Sequence, residues 1–445
     1  MAEEYDVIVI GTGVSGGAAA SRCRDGGMSV AVIDSGGYGG TCPQRGCIPK
    51  KVLVGGADMI DWPMRMIDKG SPVSGDFKLQ WSELIKFKRT FTDPVAEKTE
   101  NWLKSLGIAT YHGRARFLDS HTLEFNDTKI RGKYIVIATG AKPAELGIKG
   151  GEHLVTSDGF MELDILPDDI TFIGGGFISF EFAHVAARTG AEVRILNRSS
   201  RVLKGFDPEM VDLVVKATED AGIDVITEKE PVSIEWLGDS YQVTTKDGDS
   251  FITGMVVHGA GRVPQTADLD VEKAGIETQK GRIVVNEYMQ SVSSKHIYSV
   301  GDVTGDFKQL TPTAAYQAAV AATNIIEGNV EPIDYTGISG VVFTVPPLAS
   351  VGIDSTQVQE GRHRVIFNDK KDWISSRRTN YGYSASKIII DEKTGLIAGA
   401  HLLGPEAEEV INIFSMAMRL KIPAEKLKTF PYSYPTASTD IRSML

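Results

Sequence analysis

One arrangement restricts the fold of this chain more than any other: a strand, a glycine-rich turn, a helix and a second strand, present twice. YDVIVIG (5–11) reads as a buried strand, GTGVSGGAAASRCRDGG continues as turn and helix, and VAVID (30–34) is the next strand. At 170–198 the passage returns as ITFIGGG, a helix through FISFEFAHVAARTG, and AEVRILNR. Each such unit builds one phosphate site, so two units imply two dinucleotide-binding domains.

The two turns lead into different chemistry. Gly11, Gly13 and Gly16 form GxGxxG directly after a strand and opening a helix. These glycines permit a tight turn and let the backbone approach a pyrophosphate lying on the positive end of the helix. Asp34 stands 23 residues beyond Gly11, where a carboxylate can accept from both ribose hydroxyls of an adenosine. In the second unit, which carries Gly174 and Gly176 with Ser179 in the third slot, the same count lands on Asn197. Arg198 is the next residue, with Arg201 and Lys204 close by. A carboxylate there would repel a 2′-phosphate, whereas a guanidinium binds one bidentately. The first site therefore suits a dinucleotide with a free 2′-OH and the second suits NADPH; the alternative is that the basic cluster is a solvated loop.

Composition narrows the class. Lys and Arg number 47 against 58 Asp and Glu, a formal charge of −11, which argues against a nucleic-acid surface. No apolar run approaches the ~18 residues needed to span a bilayer. MAEEYDVIVIG enters a strand pattern almost at once, so no signal or transit peptide is expected and the protein is expected to be cytoplasmic. Residues 52–110 read as mainly helical, and from about 336 short strands and the helix AEEVINIFSMAMRL form an α+β region. The expected organisation is a discontinuous first dinucleotide domain (1–145 and 265–335), a second (146–264) and a C-terminal domain (336–445).

Of three cysteines, two lie five apart in GGTCPQRGCIPKK (39–51), far too few for a secreted disulfide framework. In a regular helix Cys42 and Cys47 would be ~7.5 Å apart along the axis, too far for a bridge. Pro43 suits a first helical turn and Pro49 removes an amide donor, so the turn stays irregular where a bridge would need it. Lys50, Lys51 and a helix N-terminus supply positive potential expected to lower a thiol pKa. The pair reads as a redox couple; two reduced core cysteines or half of a metal site are the alternatives. No second cysteine pair completes a zinc site, and His112 is the first histidine on its C-terminal side, so no metal is expected. Cys23, within the first helix, reads as a small buried hydrophobe.

Taken together, the two dinucleotide units and the GGTCxxxxGCxPxK-like spacing resemble the flavoprotein pyridine nucleotide–disulfide oxidoreductases, which include glutathione reductase, dihydrolipoamide dehydrogenase and mercuric reductase. IATGAKP, GGGFISFE, GAGRVP, IYSVGDV, LTPTA, VVFTVPPLASVG and AHLLGPEA all have counterparts in that family, so the likeness runs almost end to end. It implies two Rossmann-like domains, for FAD and NAD(P), plus a C-terminal α+β dimerisation domain. FAD is expected at the first site with Thr41, Thr139, Gly140, Gly301, Asp302 and Thr311 near it, and NADPH at the second, with Phe177 as the aromatic gate and Gly261 in the GAGR turn. The resemblance makes Cys47 the thiolate nearer the flavin and Cys42 the interchange thiol that attacks substrate. Glu181 is expected to pair with Lys50 or Lys51, and the family's homodimer completes each active site from the partner.

Two departures stand out. Where the family's disulfide reductases carry His-Pro-Thr and then an acid, this chain has YSYPTASTD: Tyr434 fills the histidine slot, Thr439 the acid's, and Asp440 comes one position late. A phenol, with an ordinary pKa of about 10, can donate a proton but regains it poorly at neutral pH. General acid–base help is worth about 10²–10⁴ in rate, so ordinary disulfides should turn over slowly unless something substitutes. The slots of two glutathione-contacting residues hold Val14 and Ser21. The expected activity is thus electron transfer from NADPH through FAD and the Cys42–Cys47 disulfide to a small-molecule or protein disulfide other than glutathione. Alternatives are an NADPH-dependent quinone or metal-ion reductase, an NAD-linked dihydrolipoamide dehydrogenase-like enzyme, and a redox-sensing flavoprotein.

Overall fold

The computed structural model describes residues 2–70, 77–305 and 309–445. Two compact units emerge, the chain passing between them at 49–50, 86–87, 144–145, 260–261 and 334–335. In the first unit, β1 (Glu3–Ile10) lies between β2 (Val30–Asp34) and the strand Thr128–Ile137, all parallel, and the helix α1 (Val14–Asp25) crosses from β1 to β2. Strands Ala109–His112 and Ile297–Ser299 extend this parallel sheet beside β2 and Thr128–Ile137. Val7, Ile8 and Val9 are wholly buried, as continuous apolar runs must be in a sheet covered on both faces. Each such side chain contributes roughly 1.5–3 kcal/mol by leaving water.

The second unit repeats the plan. Strands Ile223–Ile226, Glu192–Leu196, Asp169–Ile173, Met255–His258 and Val155–Thr156 stand in that order, all parallel. The helix Phe177–Ala187 carries eight buried residues, so its apolar FISFEFAHVAA sequence belongs to an interior. The same unit holds a five-stranded antiparallel sheet, in the order Gly340–Val342, Leu348–Gly352, Ile397–Leu403, Ala385–Asp391, His363–Asp369, with the helix Ala407–Arg419 packed on it. Two parallel βαβ sheets and a C-terminal antiparallel sheet with helices are the fold class read from the sequence. The helical expectation for 52–110 corresponds to α3 (Cys47–Arg65), which follows the short helix α2 (Thr41–Arg45), and to the helices Trp81–Thr92 and Val95–Ser105, with 71–76 outside the described residues. No helix among the described residues is long and apolar enough to cross a membrane.

Candidate active site

The first glycine turn is closed to side chains at two positions and open at a third. Gly11 has φ +100°, and a Cβ there would lie 2.4 Å from the Ala138 carbonyl oxygen. At Gly16 a Cβ would lie 1.9 Å from the Gly11 oxygen, whereas at Gly13 the nearest atom is the Gly40 Cα at 3.8 Å. Gly13 caps α1 with no side-chain acceptor, and the first turn contains no acid, so the positive helix end is unmet by the chain itself. Asp34 Oδ2 accepts from Thr12 N at 2.7 Å and Thr12 Oγ1 at 2.6 Å, and Oδ1 accepts from Gly36 N at 2.9 Å. Thr12 also takes the Gly39 N–H at 3.2 Å, tying the turn to the loop that leads to the cysteines. Nothing in the sequence singles out Thr12, the variable position of GxG.

The cysteine turn folds onto this one: Gly40, at φ +69°, is so close to Gly13 that a Cβ on it would meet the Gly13 Cα at 2.5 Å. Thr41 and Cys42 open the short helix α2, the chain breaks at Gly46, and Cys47 begins α3. At Gly46 a Cβ would lie 3.0 Å from the Cys42 Cα, so a side chain there would prise the two halves apart. No disulfide joins Cys42, half-buried, to Cys47, exposed. They hydrogen-bond to one another, and Thr311 at the start of the helix Thr311–Glu327 reaches both, its Oγ1 3.2 Å from Cys47 Sγ. The Cys42 thiol is pushed up, first by its hydrogen bond to Cys47 and then by burial, against a smaller lowering from Thr311. The expected lowering does not hold for Cys42, because a second thiol beside it outweighs the turn's positive potential. Cys23 is buried and its thiol is likewise pushed up, to about 12, by burial.

Further polar groups of the first unit lack partners. The hydroxyls of Thr139 and Thr313 are buried with no hydrogen bond among the described residues. Gly140, at φ +70°, has open space where a Cβ would be. Gly301, at φ +81°, donates to Gln317 Oε1 at 2.7 Å, and Asp302 beside it is pushed up by burial against the opposing charge of Arg262. Gly261 is also left-handed, and its carbonyl accepts from Ala144 N at 3.1 Å.

In the second unit, Gly174 has φ +102° and a Cβ there would lie 2.5 Å from the Ala260 Cα. A Cβ at Gly176 would lie 3.4 Å from the Gly259 oxygen, and one at Gly259 would lie 2.0 Å from Ser179 Oγ, so Ser179 keeps helix and strand end close. Asn197 Oδ1 accepts from Gly175 N at 3.0 Å, while its amide donates to Ser199 O at 2.6 Å and Arg201 O at 3.1 Å. Arg198, Arg201 and Lys204 are exposed on the loop so shaped, and Phe177 is exposed at the start of its helix. Glu181, one turn further, is buried and accepts from Lys50 Nζ at 2.9 Å and from Phe343 N at 2.9 Å. Lys51 pairs instead with Glu408 at 3.7 Å. Sequence leaves this choice open, and Phe343 carries no signal beyond its place in VVFTVPP.

Residues 5–322 match the family described as pyridine nucleotide-disulphide oxidoreductase, and residues 338–445 match its dimerisation domain. The chain belongs to this family. It is 30% identical to the chloroplastic/mitochondrial glutathione reductase of Pisum sativum, covering 99% of this chain and 82% of that protein. It is also 30% identical to the mercuric reductase of Bacillus cereus, covering 99% and 70%. Among solved structures, a Cu(II) complex of the HOCl-induced flavoprotein disulfide reductase RclA from Escherichia coli superposes with a TM-score of 0.90 at 27% identity over 99% of both chains. As a member of this family the chain is an FAD-dependent oxidoreductase using a nicotinamide dinucleotide. FAD fits the first unit: an uncapped helix end suits a pyrophosphate, and the unpartnered Thr139 and Thr313 hydroxyls and the Asp302 carboxyl are polar groups that a polyhydroxylated ligand would satisfy.

The C-terminal segment lies in the second unit. Tyr434 is 76% exposed. Thr436 and Thr439 both donate to the Ser433 carbonyl, at 2.7 and 2.6 Å, which fixes the loop around it. Asp440 is turned inward, accepting from Ser375 Oγ at 2.5 Å beside Lys370 at 3.6 Å. His401 is buried between Ser350 Oγ and the Ile353 carbonyl, 2.9 Å from each. No group of three or more histidine, cysteine or acidic side chains among the described residues is placed to hold a metal ion.

Proposed function

We propose that this oxidoreductase carries electrons from NADPH to a disulfide other than glutathione, by way of the Cys42–Cys47 pair. The observation that carries this reading is the set of hydrogen bonds joining Cys42, Cys47 and Thr311. Bound FAD supplies the two-electron relay between nicotinamide and sulfur. Gly11, Gly13, Gly16, Asp34, Thr41, Thr139, Gly140, Gly301, Asp302 and Thr311 would hold it; Gly174, Gly176, Phe177, Arg198, Lys204 and Gly261 would hold the nicotinamide dinucleotide. Residues 1–145 with 265–335, 146–264 and 336–445 are the three functional domains.

In the reduced pair, ionising one thiol suppresses ionisation of its neighbour, and Cys42 is the thiol held up. As the family resemblance implies, Cys47 carries the anionic sulfur, and Cys42 keeps the proton until substrate arrives. On attack Cys42 gives its proton to solvent, and its Sγ displaces one sulfur of the substrate, whose S–S bond breaks as a mixed disulfide forms. The departing thiolate takes a proton, for which the exposed Tyr434 hydroxyl of a second copy is the donor. Cys47 then attacks Cys42 Sγ, releasing the second substrate thiolate and closing the disulfide. Lys50 and Glu181 form a buried ion pair, the one that the family resemblance implies would serve the flavin. The chain works as a homodimer in the cytoplasm.

A second acceptor class is a metal ion, favoured by a sequence with no histidine beyond His401 and by the Cu(II) complex of the similar RclA. Cys42→Ser separates the readings. With NADPH oxidation as readout, disulfide turnover should fall at least about 10³-fold, the scale of losing a covalent nucleophile. Undiminished disulfide turnover in that variant would remove the pair from the mechanism, and loss of Cu(II) reduction alone would favour the metal ion.

A further inference from the structure

Lys50 and Lys51 are adjacent in the first turn of α3, and side chains of neighbouring helix residues diverge by about 100°. Both ammonium groups nevertheless come to one ring: Lys50 Nζ lies 3.9 Å and Lys51 Nζ 4.2 Å from the Phe343 centroid. The Phe343 amide also donates to Glu181 Oε1 at 2.9 Å, the same oxygen that takes Lys50. One residue thus touches both candidate cations and the anion they could share. On its other side Lys51 meets Glu408 Oε1 at 3.7 Å, and Glu408 Oε2 is buried with no hydrogen bond among the described residues.

We propose that Phe343 is a positioning residue that assigns Lys50 to Glu181, and that Glu408 and Asp58 hold Lys51 aside. The ring's negative face attracts either cation without preference for one. The amide bond to Glu181 fixes the anion on the Lys50 side, and the two acids weight Lys51 the other way. The device rests on the roles given to Lys50 and Glu181 above.

Asp58 makes it sensitive to pH. Burial pushes its carboxyl up to about 6, helped by Glu408 and Asp61 and opposed by Lys51 and Arg188. The groups facing it are Lys51 and Asp61 from α3, Arg188 beyond the helix Phe177–Ala187, Glu408 from the helix Ala407–Arg419, and Tyr381, which these acids hold up at about 12 after burial. Asp61 is itself neutralised by Arg65 at 2.5 Å and Arg188 at 2.7 Å. Below about pH 6 Asp58 takes a proton, Lys51 loses one of its two counter-charges, and it competes better for Glu181.

The FAD-loaded enzyme tests this without any acceptor. In the two-electron-reduced protein, the pH midpoint of the long-wavelength thiolate–flavin absorbance reports the charge beside the ring. Lys50→Met should move that midpoint at least about three times as far as Lys51→Met, and in a Glu408→Gln background, where Lys51 loses its ion pair while the Phe343 amide stays in place, the ratio should fall below about two. Phe343→Tyr, which keeps the ring, should preserve the difference, and Asp58→Asn should abolish a change in the spectrum centred near pH 6. Equal shifts from the two lysine variants in the unaltered background, or an unchanged ratio in the Glu408→Gln background, would overturn the proposal. Flavin content per chain controls for folding, and Glu408→Ala replaces Glu408→Gln if that variant does not load. A wrong acceptor leaves these readouts intact, so the two proposals fail separately.

Discussion

The two glycine turns solve the same backbone problem and then part company. Gly11 and Gly174 sit at φ +100° and +102°, each with backbone where a side chain would go. In both, the next residue donates its amide to a side-chain oxygen at or just past the end of the following strand: Thr12 N to Asp34 Oδ2 at 2.7 Å, Gly175 N to Asn197 Oδ1 at 3.0 Å. Asparagine keeps that positional bond while removing the negative charge, and its amide shapes the loop that presents Arg198, Arg201 and Lys204. Structural and recognition roles of one position are thereby separable in the proposed reading: the oxygen holds the turn, and the charge would choose the nucleotide.

The strongest break in the comparison comes from the glycines themselves. Gly11→Ala places a methyl group 2.4 Å from the Ala138 oxygen, where only backbone could give way. We expect protein without flavin and without activity, read as flavin absorbance per chain. Gly174→Ala meets backbone at 2.5 Å in the same fashion, yet should leave the flavin bound and abolish only its reduction by NADPH. Loss of colour in both variants would mean that the two turns do not serve separate ligands.

Much of this contrast is legible in the sequence, because spacing after a glycine turn is set by strand and helix lengths. Asp34 and Asn197 fall at the same count, and the cysteine pair advertises itself by rarity. The illegible part depends on contacts across long separations. Lys50 and Lys51 are equivalent in one dimension; their choice is made by Glu181, Phe343 and Glu408, more than 130 residues away. Asp440 reads in sequence as a displaced partner for Tyr434, but Ser375 and Lys370 claim it. The Cys42 thiol departs from its sequence expectation because a local charge pattern does not reveal that a neighbouring thiol dominates.

Charge at the second site is the next lever. Asn197→Asp restores the carboxylate and keeps an oxygen for Gly175 N but loses the amide's donations to Ser199 and Arg201, so stability should fall by about 1–2 kcal/mol. KM for NADPH should rise about 10–100-fold, since each 1.4 kcal/mol of lost binding is tenfold and a charged hydrogen bond is worth roughly 1.5–3 kcal/mol. KM for NADH should hold or fall. Arg198→Ala should move NADPH in the same direction. A variant in which both nucleotides weaken equally would show that Asn197 acts on the loop rather than through charge.

The smallest effect tests the acidic character of the first site at Asp302. Burial pushes the Asp302 carboxyl up, with Arg262 opposing. A carboxyl raised in the folded state contributes stability that is present below its unfolded pKa and lost as pH rises through the folded value. The flavin-free protein should therefore melt at a lower temperature as pH rises above the ordinary carboxylate range, by about 1–3 °C, given roughly 2–4 °C per kcal/mol for a domain of this size. Asp302→Asn should remove that slope and raise the melting temperature of the flavin-free protein at neutral pH. The same substitution should weaken flavin binding, because the charged acceptor offered to a ligand hydroxyl is gone. Opposite signs with and without flavin identify a carboxylate kept at a cost to folding for the sake of the ligand, and equal signs would reduce Asp302 to a packing residue.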